Sequence, residues 1–156
     1  MKGELAEMMA RHARPGQLDW IGLRAQRYAD MTVVGHAAVT DAGLEGDHGR
    51  AGKRAVTLIQ AEHLPVIAAL ADRAAVLPEE VRRNLVVSGL NLLALRKGLL
   101  RVGTAILRVE GPCPPCSRME KTLGPGGYNA MRGHGGWYAS VVTPGRIQQG
   151  DEVAPE

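Results

Sequence analysis

Both cysteines of this 156-residue chain lie in one short segment, GPCPPC at residues 111–116. Cys113 and Cys116 are three residues apart, with two prolines between them. Such a pair can act as a redox couple, supply half of a zinc site, or serve only as small buried packing residues. The prolines fix φ around both cysteines, so the loop is stiff before anything binds. This stiffness indicates a fourth interpretation, in which a single thiolate is held as a ligand for a metal that prefers sulfur.

The position of the pair favours this fourth interpretation over the first two. A thioredoxin-type pair belongs beside the first strand of a βαβ unit, but these cysteines come late in the chain. The other zinc ligands would have to be His48 and His134, and the sequence has no second Cys-x-x-Cys and no close histidine pair. We therefore expect no zinc. Arg118 favours an ionised thiol, as would a helix capped by Ser117.

A second segment that could do chemistry is the glycine-rich stretch GLEGDHGR at residues 43–50. Its glycines let the backbone around Asp47 and His48 approach a ligand closely. The next predicted strand opens with two cations, Lys53 and Arg54, and carries the hydroxyl of Thr57. The alternative is a plain surface loop followed by a solvated basic pair.

Two further segments carry polar groups beside predicted strands. Arg83 and Asn84 stand at a strand start, where a guanidinium can grip phosphate oxygens and an amide can both donate and accept. In RGHGGWY, at residues 132–138, glycines including Gly136 leave room for a ligand beside His134. Trp137 could wall such a site, although a Trp that enters a strand is more often a core residue. If the basic segments converge, they form an anion pocket.

The elements that must position these segments are mostly strands. Alternation and β-branched residues predict strands over 18–25, 32–38, 54–60, 84–87, 99–109 and 137–142, with a turn at 143–145 and a closing segment at 150–153. We expect Gly103 to mark a bulge in the strand 99–109. Helices are predicted over 4–12, over 61–74 and from Pro78 onward. The predicted fold is mainly β with a few short helices, partly closed into a barrel, as one domain over 1–156.

Composition narrows the partners. The chain has a formal net charge of +3 and no Phe, and its bases occur in short clusters. Small anions therefore suit it better than nucleic acid, because single-strand binders need aromatic platforms. The longest apolar run, residues 64–71, is far below the ~20 residues that span a bilayer. The N-terminus has no secretory signal pattern, so we expect a cytoplasmic protein with no membrane association.

Several short motifs, in order, resemble those of MOSC domains, which are named for the C-terminal domain of molybdenum cofactor sulfurase. The resemblance runs from about residue 20 to 153 and rests on GLxGDH from residue 43, RAVTLI from 54, RNLVVxG from 83, VG from 102, PC from 115, GGWY from 135 and PGxIxxGD from 144. It implies a β-rich, barrel-like fold and binding of the molybdenum cofactor (molybdopterin), a pterin dithiolene that carries molybdenum and a terminal phosphate.

The resemblance also assigns residues. Aligning the Pro-Cys step implies that Cys116 ligates molybdenum, with Cys113 as the second catalytic cysteine. The residues expected near the phosphate and pterin are Lys53, Arg54, Thr57, Arg83 and Asn84, and the rest of the expected cofactor-binding set is Asp47, His48, His134 and Gly136.

The chain is similar to the short stand-alone bacterial members, without the additional N-terminal barrel of the amidoxime-type reductases. It has SRME at 117–120 where those enzymes have Ile-Leu-Thr-Thr, which leaves the substrate open. The implied function is reduction of small N-hydroxylated compounds. Two cysteines cannot ligate a conventional iron–sulfur cluster, so an external flavin or iron–sulfur donor is expected.

One alternative is a sulfur carrier that receives persulfide sulfur from a cysteine desulfurase. Another is a non-catalytic domain that binds a phosphorylated small molecule.

Overall fold

A computed structural model describes residues 3–156. Its strands are β1 (Gly16–Arg24), β2 (Met31–Val34), β3 (His36–Thr40), β4 (Gly43–Leu44), β5 (Val56–Gln60), β6 (Leu85–Ser88), β7 (Leu99–Val102), β8 (Ala105–Pro112), β9 (Trp137–Thr143), β10 (Gly145–Gln148) and β11 (Glu152–Pro155). Its helices are α1 (Glu4–Met9), α2 (His63–Leu70), α3 (Pro78–Val81), α4 (Ser117–Leu123) and α5 (Gly127–Met131), with a 3₁₀ turn at Leu92–Leu95. The predicted fold class, mainly β with short helices, is confirmed.

Seven strands close into a barrel. The order β11-β7-β8-β9-β5-β6-β1 returns to β11, which pairs with β1 at Gly16↔Val153, and β2 extends the sheet from β1. Only β5 and β6 run parallel among the pairs of this sheet in residues 3–156. A smaller sheet has the order β10-β3-β4. Closure leaves few free strand edges, because β11 and β1, the first and last strands of this order, pair with each other.

The barrel interior is filled without phenylalanine. Its buried cluster consists of Leu, Ile, Val and Ala side chains, including Leu18, Leu58, Leu85, Leu100 and Leu107. Aliphatic side chains that alternate along strands fill one face of each strand, which is the pattern that the sequence shows for β8. This interior makes the barrel the rigid support for the loops at its end.

The helices cover the outside of the barrel at one place. Ile59 of β5 and Val86 of β6 face outward and pack with Met119, Leu123 and Met131 from α4 and α5 in a second buried cluster. α2 joins the same cluster through Ile67 and Ala68. This packing fixes the helix that follows the cysteine loop against the two parallel strands.

Three local predictions were wrong. Gly103 is not a bulge: with φ 56 it forms the turn between β7 and β8, which pair at Val102↔Ala105. The predicted strand 32–38 is two strands, which belong to different sheets. The predicted helix 61–74 is shorter and covers His63–Leu70. No helix within residues 3–156 is long and apolar enough to cross a membrane.

Candidate functional site

A cleft with two lobes lies beside the cysteine loop. The lobes have volumes of about 680 and 580 Å³, and both are lined by Arg24, His48 and Arg83. The larger, named here the Cys116 lobe, is also lined by Arg27, Tyr28, Arg82, Cys116, Arg118 and Lys121. The smaller, the Cys113 lobe, is also lined by Arg50, Lys53, Arg54, Thr57, Cys113 and Tyr138.

The wall of this cleft is strongly basic. Nine Lys and Arg residues line the two lobes, and no Asp or Glu of the described residues does so. The whole chain carries 19 basic and 16 acidic residues, so this imbalance is local. A concave site lined by one sign of charge raises the local concentration of the opposite ion. The cleft is therefore built for an anion.

The floor of the cleft is held by Asp47, which lies in the glycine-rich segment after β4. Its carboxylate accepts from the backbone N–H of Arg24 at 2.7 Å and from the guanidinium of Arg24 at 3.2 and 3.1 Å. Burial alone would raise the pKa of Asp47, but the hydrogen bonds and charge of Arg24, with a further bond from Asn84, lower it. Asp47 is therefore an ionised structural partner that orients Arg24.

Asn84 connects three strands beneath the cleft and is fully buried. Its side-chain oxygen accepts from the N–H of Thr57 at 3.0 Å and from the Thr57 hydroxyl at 3.2 Å. Its amide donates to the carbonyl of Gly22 at 3.0 Å and to Asp47 at 3.1 Å. These contacts fix the ends of β1, β5 and β6 relative to one another.

The cysteine loop is fastened to the glycine pair before β9. The N–H of Cys113 donates to the carbonyl of Gly136 at 2.8 Å, and Nε of Arg83 donates to the carbonyl of Gly135 at 2.7 Å. Gly136 has φ 89, and a Cβ there would collide with the Leu58 carbonyl. A glycine is therefore required at position 136, because the backbone before β9 approaches Leu58 of β5 too closely to leave room for a Cβ.

The two thiols differ in environment. Cys113 is buried, and burial raises its pKa, although the charges of Arg83, Arg54 and Arg24 oppose the shift. Cys116 is exposed and occupies the N-cap position of α4. Ser117 is the first residue of that helix, so the expectation that it caps one is wrong. The exposed thiol is the one that a ligand or partner reaches without rearranging the loop.

Two further side chains in the cleft have fixed orientations. Nδ1 of His48 lies 2.8 Å from the carbonyl of Arg24, which can only accept, so Nδ1 carries the proton of the neutral ring. Nε2 of His48 is then the atom through which this ring exchanges a proton. The guanidinium of Arg54 stacks over the ring of Tyr138, with its carbon 4.3 Å from the ring centre.

The predicted site residues fall into two groups. Those that line the cleft are His48, Lys53, Arg54, Thr57, Arg83, Cys113 and Cys116. Asp47, Asn84, His134 and Gly136 do not line it. Asp47 and Asn84 hold its floor, and the carbonyl of Gly136 accepts from the N–H of Cys113. Trp137 packs against the barrel core, as the more ordinary interpretation predicted. His134 has its ring edge-on to that of His63, with centroids 5.5 Å apart.

Sequence analysis did not assign several cleft residues to the site. They are Arg24, Arg27, Tyr28, Arg50, Arg82, Lys121 and Tyr138. Arg82 is the neighbour of the predicted residue Arg83, and Tyr138 lies two positions after the predicted residue Gly136, so adjacency was a usable signal for both. Arg27 and Tyr28 gave no such signal, because a loop brings them to α4 from about ninety positions away in the sequence.

Comparison with known proteins places the chain in a family. The model of the MOSC domain matches residues 38–154. The chain belongs to the MOSC domain family. No curated protein matches this MOSC domain significantly.

Solved structures agree on the fold. The YuaD protein from Bacillus subtilis is 19% identical with a TM-score of 0.78, and the match covers 90% of this chain and 94% of that one. YiiM from Escherichia coli is 24% identical with a TM-score of 0.71, over 90% of this chain and 69% of that one. YiiM from Geobacillus stearothermophilus is 22% identical with a TM-score of 0.73, over 91% and 75%. At these identities the likeness shows the MOSC fold alone.

The residues present fit the cofactor that MOSC domains are associated with. A pterin dithiolene that ends in a phosphate is anionic, and this cleft wall is basic. The cleft also offers a soft sulfur donor in each lobe, which suits a metal that takes thiolate. Among residues 3–156 no group of three or more His, Cys, Asp or Glu residues could hold a bare metal ion.

Proposed function

We propose that this MOSC domain binds the molybdenum cofactor in the two-lobed cleft and reduces small N-hydroxylated compounds. The observation that carries the proposal is the cleft itself, which has a thiol in each lobe, Arg83 lining both lobes, and nine basic residues without an acidic one in its described wall.

The residues divide the work of binding by their chemistry. Lys53, Arg54 and Thr57 of the Cys113 lobe would bind the phosphate, because guanidinium, ammonium and hydroxyl groups all donate to phosphate oxygens. Arg83, fixed by the Gly135 carbonyl, would offer its remaining N–H groups to the middle of the ligand. Cys116 would ligate the metal, since its thiol is exposed whereas the thiol of Cys113 is buried.

The cofactor, when bound, supplies the redox centre at which the N–O bond is broken. The net reaction converts a hydroxylamino group to an amino group and water, and it consumes two electrons and two protons. The electrons come from a separate flavin or iron–sulfur protein, since two cysteines cannot hold a conventional cluster. His48 is the candidate proton donor: in its protonated form the ring gives up the proton on Nε2, while Nδ1–H stays hydrogen-bonded to the carbonyl of Arg24.

The test is reduction of benzamidoxime by protein from a molybdenum-replete host, with reduced methyl viologen as the electron source. We expect benzamidine to form with the wild type and to be lost in Cys116→Ser, whereas Cys113→Ser retains measurable turnover. Equal product formation by the wild type and Cys116→Ser contradicts the assignment of the ligand, and no product from molybdenum-loaded wild type contradicts the reductase activity.

The exposure of Cys116 also favours a second candidate, a sulfur carrier. In this function the Cys116 thiolate attacks the outer sulfur of a desulfurase persulfide, a new S–S bond forms, and the desulfurase thiolate leaves. Intact mass after incubation with a cysteine desulfurase and cysteine decides it. The carrier requires an adduct of about 32 Da that a thiol reductant removes and that Cys116→Ser does not form; unchanged mass contradicts it.

A further inference from the structure

The Cys116 lobe has a set of cations that the cofactor's phosphate does not require. Arg27, Arg82, Arg118 and Lys121 line this lobe and are absent from the wall of the other. The Cys113 lobe already contains Lys53, Arg54 and a hydroxyl for a phosphate. The cleft thus has two basic regions, on either side of the shared Arg83.

The cations of the Cys116 lobe are held in position. Nη2 of Arg118 donates to the carbonyl of Tyr28 at 3.3 Å, and Nη1 of Arg82 donates to the carbonyl of Ala29. The Tyr28 ring lies against two guanidiniums, with the carbon of Arg27 4.8 Å and that of Arg118 5.1 Å from its centre. Each guanidinium has five N–H donors, so most of them stay available to a ligand.

The backbone also indicates a constrained site. Tyr28 has φ 67, in the left-handed region that residues with a side chain rarely adopt. Such conformations tend to cluster at sites that bind ligands. The φ of 58 at Arg82 is that of the residue that ends α3, where a left-handed conformation is common. Both residues line the Cys116 lobe, and the conformation of Tyr28 places its ring against the guanidiniums of Arg27 and Arg118.

Arg24 is the one cation of this lobe that is paired with a carboxylate within residues 3–156, through Asp47. Across residues 3–156, none of Arg27, Arg82, Arg118 and Lys121 forms a salt bridge. The pKa of Arg82 is lowered by burial first and then by the charges of Arg118 and Arg24. The charges of Asp30 and Asp47 act in the opposite direction. The cations therefore repel one another while no carboxylate contacts them.

Three acidic residues lie close to this region, in a groove that shares Arg82 and Arg118 with it. Asp30, Glu79 and Glu80 line a neighbouring groove of about 360 Å³ together with Arg82 and Arg118. Glu80 is already paired with Arg73 at 2.7 Å. These carboxylates leave the Cys116 lobe itself without an acidic lining residue among those described.

We propose that the Cys116 lobe binds a phosphate group of the substrate, so that this protein acts on phosphorylated small molecules. Arginine forks match phosphate oxygens in pairs, and a dianion uses several cations at once. That the phosphate belongs to a substrate, and that the reacting group is an N-hydroxyl, rest on the proposed function; that this lobe binds a phosphate group rests on its cations.

The test is calorimetric titration of the purified full chain with inorganic phosphate, accompanied by molybdenum and pterin assays of the same samples. The test variant is Arg27→Gln with Lys121→Gln, both exposed residues of the Cys116 lobe, and the matched variant is Lys53→Gln with Arg54→Gln in the other lobe. We expect the test variant to weaken one phosphate site at least about tenfold, since a hydrogen bond to a charged group contributes about that much. Its molybdenum and pterin content should equal that of the wild type.

The matched variant should show the reverse pattern, with less molybdenum and pterin but phosphate binding to the Cys116 lobe within about twofold of the wild type. Because Arg27 is exposed, Arg27→Gln alone keeps the fold and should weaken phosphate binding about threefold, the share expected of one partly solvated contact. Unchanged phosphate binding in the test variant overturns the proposal. Loss of pterin from the test variant also overturns it, because the lobe would then belong to the cofactor. Failure of the proposed function gives a different pattern: no molybdenum or pterin in any variant, while the phosphate titration still decides the subsite.

Discussion

Replacement of Asn84 tests how the cleft floor is held. Asn84→Ala removes the acceptor of the Thr57 N–H and the donor to the Gly22 carbonyl, and both partners are buried. A buried polar group that loses its partner costs about 1–3 kcal/mol. Asp47 keeps its bonds from Arg24, so its own loss is smaller. The Thr57 hydroxyl also loses its acceptor but keeps its bond from the N–H of residue 84. The two groups left without a partner therefore give an expected destabilisation of about 3–4 kcal/mol.

The assay is equilibrium unfolding in urea, followed by tryptophan fluorescence. With a slope of about 2 kcal/mol per molar urea, the midpoint should fall by roughly 1.5–2 M. Asn91→Ala is the matched control, because the exposed side chain of Asn91 accepts only from the N–H of Leu93. A cap of this kind contributes about 0.5–1 kcal/mol, so the control midpoint should move by under about 0.5 M. Equal shifts in the two variants would refute the role given to Asn84.

Three further predictions concern the loop, the thiols and pH. Gly136→Ala should destabilise the protein by about 2 kcal/mol or more, because its Cβ meets the Leu58 carbonyl. Gly133→Ala is the control, because Gly133 also has a positive φ, of 84, but has no atom near its Cβ position, so it should cost only about 1 kcal/mol in the urea assay. Equal destabilisation by the two substitutions contradicts the close approach of Gly136 to Leu58. Iodoacetamide should alkylate Cys116 before Cys113, because Cys116 is exposed and burial raises the pKa of Cys113. Peptide masses measured over time give the order of alkylation, and faster alkylation of Cys113 contradicts this account of the two thiols. Burial and then His134 lower the pKa of His63 below 6.5, so the unfolded chain binds more protons at mildly acidic pH. Stability should therefore be complete above about pH 6.5 and fall as the pH drops from there to the lowered pKa of His63. The fall should be smaller in His63→Gln, and an identical fall in the two proteins contradicts the role given to His63.

The sequence was sufficient to locate a strand where one hydrophobic pattern ran through the whole segment. Alternation located β1, β5 and β9 to within two residues at each end. It failed at Gly103, because apolar residues alternate on both sides of the turn and the pattern reads as one strand. It also missed α5, since glycines and a proline around residues 124–127 conceal the helical period. Contacts with the barrel, made by Met119 and Met131, stabilise these short helices instead.

The site residues also divide into those visible in a local sequence motif and those that only the folded chain brings together. The cysteine loop and the clusters containing Lys53 and Arg83 were visible as motifs, because their chemistry is concentrated within a few positions. Arg27 and Tyr28 were not visible, because their relevance depends on Arg118 reaching across to the Tyr28 carbonyl. A second basic region on the cleft is a tertiary property, and only the folded chain brings its members together.

The most direct measurement is the molybdenum and pterin content of three proteins purified from a molybdenum-replete host: wild type, Cys116→Ser and Cys113→Ser. We expect molybdenum and pterin in nearly equal amounts in the wild type, loss of molybdenum in Cys116→Ser, and retention of both in Cys113→Ser. Wild-type protein that contains neither molybdenum nor pterin would contradict the assignment of this cleft to the cofactor.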